Sequence, residues 1–138
     1  MPKVRVRDGK SEIFDFIRKK WVALTPEEQV RQYFLHFLTE ERNIAASHIA
    51  VERKIDVNGL PQRFDILIFS SDGKPAMVVE CKQPSVPLTQ SVAEQAARYN
   101  KTLKAPFVAI TNGLSSLFFK IDFENEKVVS LDDFPEIQ

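Results

Sequence analysis

Residues 63–82 read RFDILIFSSDGKPAMVVECK. Two apolar runs flank Asp72-Gly73, a dipeptide suited to the tight turn of a β-hairpin. The run RFDILIFS alternates, with Phe64, Ile66 and Ile68 facing one way and Arg63, Asp65, Leu67 and Phe69 the other. AMVVECK is the returning strand, ended by Pro84 and Pro87. A two-residue turn sets Ser71 against Lys74. Asp65 then falls opposite Glu80 and Arg63 opposite Lys82, all four on one face. Pro75 can disturb the first pair, so the register is conditional.

Two carboxylates directly opposite each other on a sheet repel. Three remedies are open: a proton on one of them, neutralisation by Arg63 and Lys82, or a bridging divalent cation. A hard cation such as Mg²⁺ is satisfied by one or two carboxylates, water and a substrate phosphate. Lys82 then stands where it can meet a phosphate or polarise a water. The plainer reading is a four-residue ion cluster on a solvated face. Against it, Asp65 interrupts an apolar strand and Glu80 follows AMVV, where a charge without a role is costly.

Outward from the hairpin, residues 25–40 read as a helix. Thr25 is a good N-cap, Pro26 suits the first turn and Glu28 completes a capping box. Val30, Tyr33, Phe34, Phe37 and Leu38 form its apolar stripe. Residues 49–56 read as a strand. QSVAEQAARYNKTL (90–103) reads as a helix with Val92, Ala96, Tyr99 and Leu103 inward. FVAIT (107–111) is an interior strand; Asn112-Gly113 turns into LSSLFFKID, and EKVVSL reads as an edge strand. SEIFDFIRKK (11–20) fits a short helix with Ile13, Phe14 and Ile17 on one side. The expectation is one α/β (α+β) domain over 1–138, a mixed sheet flanked by helices. It divides into a basic segment with a short helix (1–20), a core (about 21–122) and an acidic segment (123–138).

Composition sets the class. The 138 residues are 43% hydrophobic and 28% charged, an ordinary globular balance, with eleven Phe to fill a core. A single cysteine, Cys81, rules out an internal disulfide and a Cys-rich zinc site. The N-terminus lacks an apolar signal core and no membrane-length run exists, so a reducing, cytoplasmic setting is expected. Net charge is zero, yet residues 1–20 hold seven basic against three acidic residues and 121–138 hold one against six. A basic end can meet a polyanion; ordinary solvated charge reads the same way. His36 and His48 lack ligand-spaced partners and read as structural.

Asp65, then Glu80-x-Lys82 after a hairpin, resembles the PD-(D/E)XK nuclease signature. Gln95-Ala-Ala-Arg-Tyr99 resembles the QxxxY motif of one branch of that superfamily. TPEEQVRQ (25–32), RFDILIF, VVECKQPSVPLTQ, QAARYN and AITNG together are similar to the N-terminal nuclease domain family of type I restriction enzyme R subunits. The resemblance covers roughly residues 20–115.

It implies a restriction-endonuclease-like core in α-β-β-β-α-β order and Mg²⁺-dependent hydrolysis of DNA, with Mn²⁺ as a substitute. It implies Asp65 and Glu80 as metal ligands, the Cys81 carbonyl as a third, and Lys82 positioning the water. Gln95 and Tyr99 would support the site and touch DNA, as would Arg63, which equally suits a counterion for Asp65. Glu28 matches the acid of the first core helix, though it equally suits a cap, and Glu27 shares the claim. Phe64 stands where the name-giving proline would be, and Cys81 replaces a more usual apolar residue. Implied partners are DNA and the motor or specificity subunits of a restriction system; homodimerisation stays open. The 138 residues hold no helicase motor, and Gly9-Lys10-Ser11 is no P-loop, lacking the earlier glycine. The rival reading is a nuclease-like module without catalysis that binds nucleic acid or a partner protein.

Overall fold

The computed structural model describes the whole chain except Asn58 and Thr102 and the side chains of Val57 and Tyr99. Three strands come first: β1 (Val4–Arg7), β2 (Lys10–Asp15) and β3 (Lys20–Ala23), an antiparallel meander. Then follow α1 (Pro26–His36), β4 (Ile49–Val57), β5 (Leu60–Phe69), β6 (Pro75–Cys81), α2 (Gln90–Tyr99), β7 (Phe107–Thr111), β8 (Ser116–Asp122) and β9 (Lys127–Leu131). These last six strands form one sheet in sequential order, β4 to β9. All pairs are antiparallel except β6–β7, which α2 joins by a crossover. The mixed α+β architecture is the expected one.

Residues 11–20 are not a helix. Asp8 and Gly9 take positive φ (51° and 75°) and turn β1 into β2, the same hairpin signal as at 72–73. The Asp15 carboxylate then accepts the backbone N–H groups of Ile17 (2.9 Å) and Arg18 (2.8 Å), replacing helical bonds with a side-chain-capped turn. Ile13 is fully buried, and Phe16 and Ile17 pack against the core.

α1 begins where the caps placed it: Thr25 Oγ1 accepts the Glu28 N–H at 3.0 Å. Its buried face differs from the expected stripe. Val30, Phe34 and Leu35 are buried together with Arg31 and Gln32, and Tyr33 is exposed. Leu38 continues the core in a π-helical turn, Phe37–Glu41. On one side of the large sheet, Val30, Phe34, Leu35 and Leu38 pack on Ile66, Ile68, Met77, Val79 and Cys81. On the other side, Ala93 and Ala96 of α2 meet Val108, Ile110 and Phe119. β9 closes the sheet as an edge strand, and beyond it Phe134 packs edge-on against Phe37 and Phe118. No helix of the described residues is long and apolar enough to cross a membrane.

The β5–β6 hairpin keeps the expected register where it matters. Ile66 pairs with Val79, Leu67 with Val78 and Ile68 with Met77. At the tip the turn is wider than two residues. Phe69 pairs with Pro75, Ser70 N–H donates to the Lys74 carbonyl (2.9 Å), and the register shifts at a bulge beside Phe69. Proline has no N–H for the ladder, and the bulge at Ala76 absorbs the odd residue. Phe64 also departs from expectation: it packs with Leu67 and Val78, on the side opposite Ile66 and Ile68.

Asp15 ties the small sheet to α1. Its fully buried carboxylate accepts from Arg18 Nε (2.6 Å) and Gln32 Nε2 (2.9 Å). Asp15→Ala leaves both donors short of a partner, and urea unfolding should show a loss of about 2–4 kcal/mol. A loss under about 0.5 kcal/mol would mean that the small sheet is not held this way.

Candidate active site

The site forms where β6 ends at Cys81, beside the middle of β5. Continuing the β5–β6 register sets Asp65 beside Glu80, and the side chains bear this out. Asp65 Oδ2 accepts the Cys81 N–H at 2.8 Å, and Asp65 Oδ1 lies 3.3 Å from Arg31 Nη2. The acid is therefore held from two directions. Glu80 is held more loosely: Lys82 Nζ stands 3.9 Å from Glu80 Oε1, with 32% of the lysine and 27% of the glutamate side chain exposed. Burial, then the negative charge of Asp65 and a hydrogen bond to it, push the Glu80 carboxyl up to about 7, against the opposing pull of Lys82. Glu27 adds a smaller push in the same direction.

A cleft of about 320 Å³ opens on the Glu80 side of this pair, and Asp65 does not line it. Arg63, Glu80 and Lys82 line it from the strands, and Gln95 with Val92 and Ala96 from α2. Thr89 caps α2 by accepting the Val92 N–H (3.4 Å), and Lys82 N–H donates to the Thr111 carbonyl of β7 (2.8 Å). The parallel β6–β7 step thus brings Lys82 and Gln95 to one cleft although a proline-containing loop separates them. Asn112 secures that loop: its Nδ2 donates to the Val86 carbonyl at 2.8 Å. Its Oδ1 accepts the N–H groups of Leu114 and Ser115, so Asn112-Gly113 is a turn, as expected. The Tyr99 side chain lies outside the described residues.

Glu28 belongs to a cluster of arginine pairs. Its carboxylate accepts from Arg18 Nη2 (3.1 Å), Arg31 Nη1 (3.3 Å) and Gln32 Nε2 (3.2 Å), and it reaches Asp65 through Arg31. Half of the capping box is therefore missing: Thr25 receives the Glu28 N–H, while the Glu28 side chain turns to the arginines. Cys81 is 1% exposed in the core under α1. Burial pushes its thiol well up, so the backbone carbonyl is what this residue can offer a cation.

Three residues emerge that the sequence reading did not single out. Arg31 is 4% exposed and pairs with Glu28, Glu52 and Asp65. Arg18 joins Asp15, Glu28 and Glu52. Glu52, within β4, falls between the pairs Val51↔Ile66 and Arg53↔Phe64, directly across from Asp65. Its φ of +51° is left-handed, a strained state for a non-glycine residue inside a strand. The turn this introduces accompanies the change of side at Phe64. A signal for Arg31 was present: Glu28, Arg31, Gln32 and Leu35 share the i, i+3, i+4, i+7 spacing of a buried helix face. Glu52 had no such signal.

The donor set suits a hard, hydrated cation. Among the described residues no group of three or more His, Cys, Asp or Glu side chains is gathered for a metal. Two carboxylates with backbone carbonyl, water and substrate completing the shell is a Mg²⁺-type arrangement, not a closed zinc site. Glu80, resisting ionisation beside Asp65, is the group such a cation would relieve.

Residues 26–135 match the family described as type I restriction enzyme R protein N terminus (HSDR_N). Among solved structures, the chain is similar to a fragment of an HsdR subunit of a type I restriction enzyme from Vibrio vulnificus YJ016. The identity is 26% and the TM-score 0.55, over 83% of this chain and 24% of that one. The chain thus spans about a quarter of the solved relative. A comparison with curated proteins finds no significant match.

The raised Glu80 carboxyl makes stability pH-dependent. The folded state binds the Glu80 proton more tightly than the unfolded chain, so this residue's contribution falls as pH rises from about 4.5 through about 7. Thermal melting of Glu80→Gln should equal wild type near pH 5 and exceed it by a few degrees near pH 8. Millimolar Mg²⁺ should raise the wild-type midpoint at pH 8 and leave Glu80→Gln nearly unmoved. Parallel pH profiles for the two proteins would contradict the face-to-face acid pair.

Proposed function

The chain belongs to the type I restriction enzyme R protein N-terminal family, and we propose that it hydrolyses phosphodiester bonds of DNA with a divalent cation held between Asp65 and Glu80. The observation that carries the reading is the acid pair itself. Two carboxyl groups meet on neighbouring strands, and the one that resists ionisation, Glu80, lines a cleft with Lys82 and Gln95. Structural carboxylates are placed to avoid each other; sites that handle phosphate and cations gather them.

Mg²⁺ or Mn²⁺, when bound, supplies positive charge to offset that developing on the phosphate and lowers the pKa of a water. The remaining work falls to the chain. Asp65 is already oriented by the Cys81 N–H and Arg31, so it need not be ordered again on binding. Lys82 Nζ donates a hydrogen bond to the attacking water or to a non-bridging phosphate oxygen. As the water oxygen bonds to phosphorus, one P–O ester bond breaks and the departing oxygen leaves with a proton. Gln95, and Tyr99 one turn further along α2, would contact the DNA backbone, and Arg63 another of its phosphates. The Cys81 carbonyl would complete the cation's shell, and Glu27 or Glu28 would reach it from α1 through water. The reading carries the PD-(D/E)XK assignment with it, an intracellular setting, and the motor and specificity subunits of a restriction system as partners.

Circular supercoiled DNA incubated with Mg²⁺ or Mn²⁺ should be nicked by the wild-type chain. Asp65→Ala and Lys82→Ala should each lower the rate at least ~100-fold. Nicking that survives Asp65→Ala would place the chemistry elsewhere. DNA binding without cleavage in either metal would favour the non-catalytic module.

A further inference from the structure

The β4–β5 hairpin carries a pair of facing cations, of which only Arg63 acts on a neighbouring acid, its charge adding to the pull on Glu52. Lys54 and Arg63 are direct cross-strand partners, and both are exposed. Like charges in that position destabilise a hairpin. Among the described residues neither forms an ion pair, because the nearby acid Glu52 is engaged by Arg31 and Arg18. Arg63 lines the cleft that holds Glu80, Lys82 and Gln95. Lys54 is thus the cross-strand neighbour, on β4, of a residue on the cleft's lining.

We propose that Lys54 and Arg63 together form a phosphate subsite that grips the DNA backbone beside the reacting position. Arg63 offers a planar fork of donors and Lys54 a compact charge, with Cβ atoms roughly 4.5–5.5 Å apart. A phosphate lying over both converts their mutual repulsion into two charge-assisted contacts. Such contacts fix the duplex in register and carry no sequence information. That the neighbouring phosphate is the one cleaved rests on the nuclease reading; the binding of DNA by this pair does not.

Binding of a fluorescent 20-base-pair duplex to the 138-residue chain is measured in EDTA between 50 and 200 mM salt, where no cleavage occurs. Lys54→Ala should weaken binding and lower the slope of log K against log salt by about 0.9, and Lys54→Ala with Arg63→Ala by about twice that. Lys54→Glu should weaken binding further, about tenfold or more at 50 mM salt. It should at the same time leave the melting midpoint unchanged or raised, since it replaces repulsion across the hairpin with attraction.

Unchanged affinity and slope in the double variant would overturn the subsite. So would no binding by wild type, or a binding loss that merely tracks a lower midpoint in Lys54→Glu. Lys54-dependent binding by a chain that cleaves nothing would remove the nuclease reading and leave the subsite standing. Cleavage by a chain whose salt slope ignores Lys54 and Arg63 would do the reverse.

Discussion

The buried guanidinium of Arg31 is the constraint on which the site depends. It reaches Glu28 on its own helix, Glu52 on β4 and Asp65 on β5. Three elements far apart in sequence are thereby fixed at one point. A desolvated cation of this kind is expensive unless it is surrounded by anions, and losing one partner strands the rest. Here the negative charges outweigh the burial, so Arg31 holds its proton more firmly than usual. Arg18 repeats the pattern one layer outward and, through Asp15, ties in the N-terminal meander. The small sheet is thus linked to Asp65 by a continuous chain of ion pairs.

Glu52 shows what this arrangement costs. A left-handed residue inside a strand costs on the order of 1–3 kcal/mol, and its contacts to Arg31 (3.0 Å) and Arg18 (3.3 Å) offset that. Burial tends to raise its carboxyl, but Arg31, then Arg18 and Arg63, hold it below the usual range. The strained residue sits directly across from Asp65, so β4 bends where β5 delivers its acid. Phe64 is turned to the α2 side at the same level, and the cleft opens beside it.

What could be read in advance follows from the range of the signals. The strand period of two and a turn dipeptide were enough to set Asp65 against Glu80, since the bulge at the tip leaves the register below it intact. Thr25, Pro26 and Glu28 marked the start of α1 because capping is local chemistry. The short amphipathic pattern of residues 11–20 fits helix and strand alike, and the turn at Asp8-Gly9 is what decides for the strand. Arg31 shares a helix face with Gln32 and Leu35, but what it meets there is not local, since Glu52 and Asp65 lie 21 and 34 residues away. The positive φ of Glu52 has no counterpart in its residue type, which favours neither turn nor left-handed backbone.

The spacing of these contacts along the chain also ranks what each costs to close. Asp65 and Cys81 are 16 residues apart across a single hairpin, whereas Arg31 is 34 residues from Asp65. Hairpins close in microseconds, and longer loops carry a larger entropic cost before their contacts form. On closure cost alone the acid pair is the cheaper contact and the Arg31–Asp65 contact the dearer one. With α1 in place Glu80 keeps its raised carboxyl, and Glu27 of that helix adds to the push.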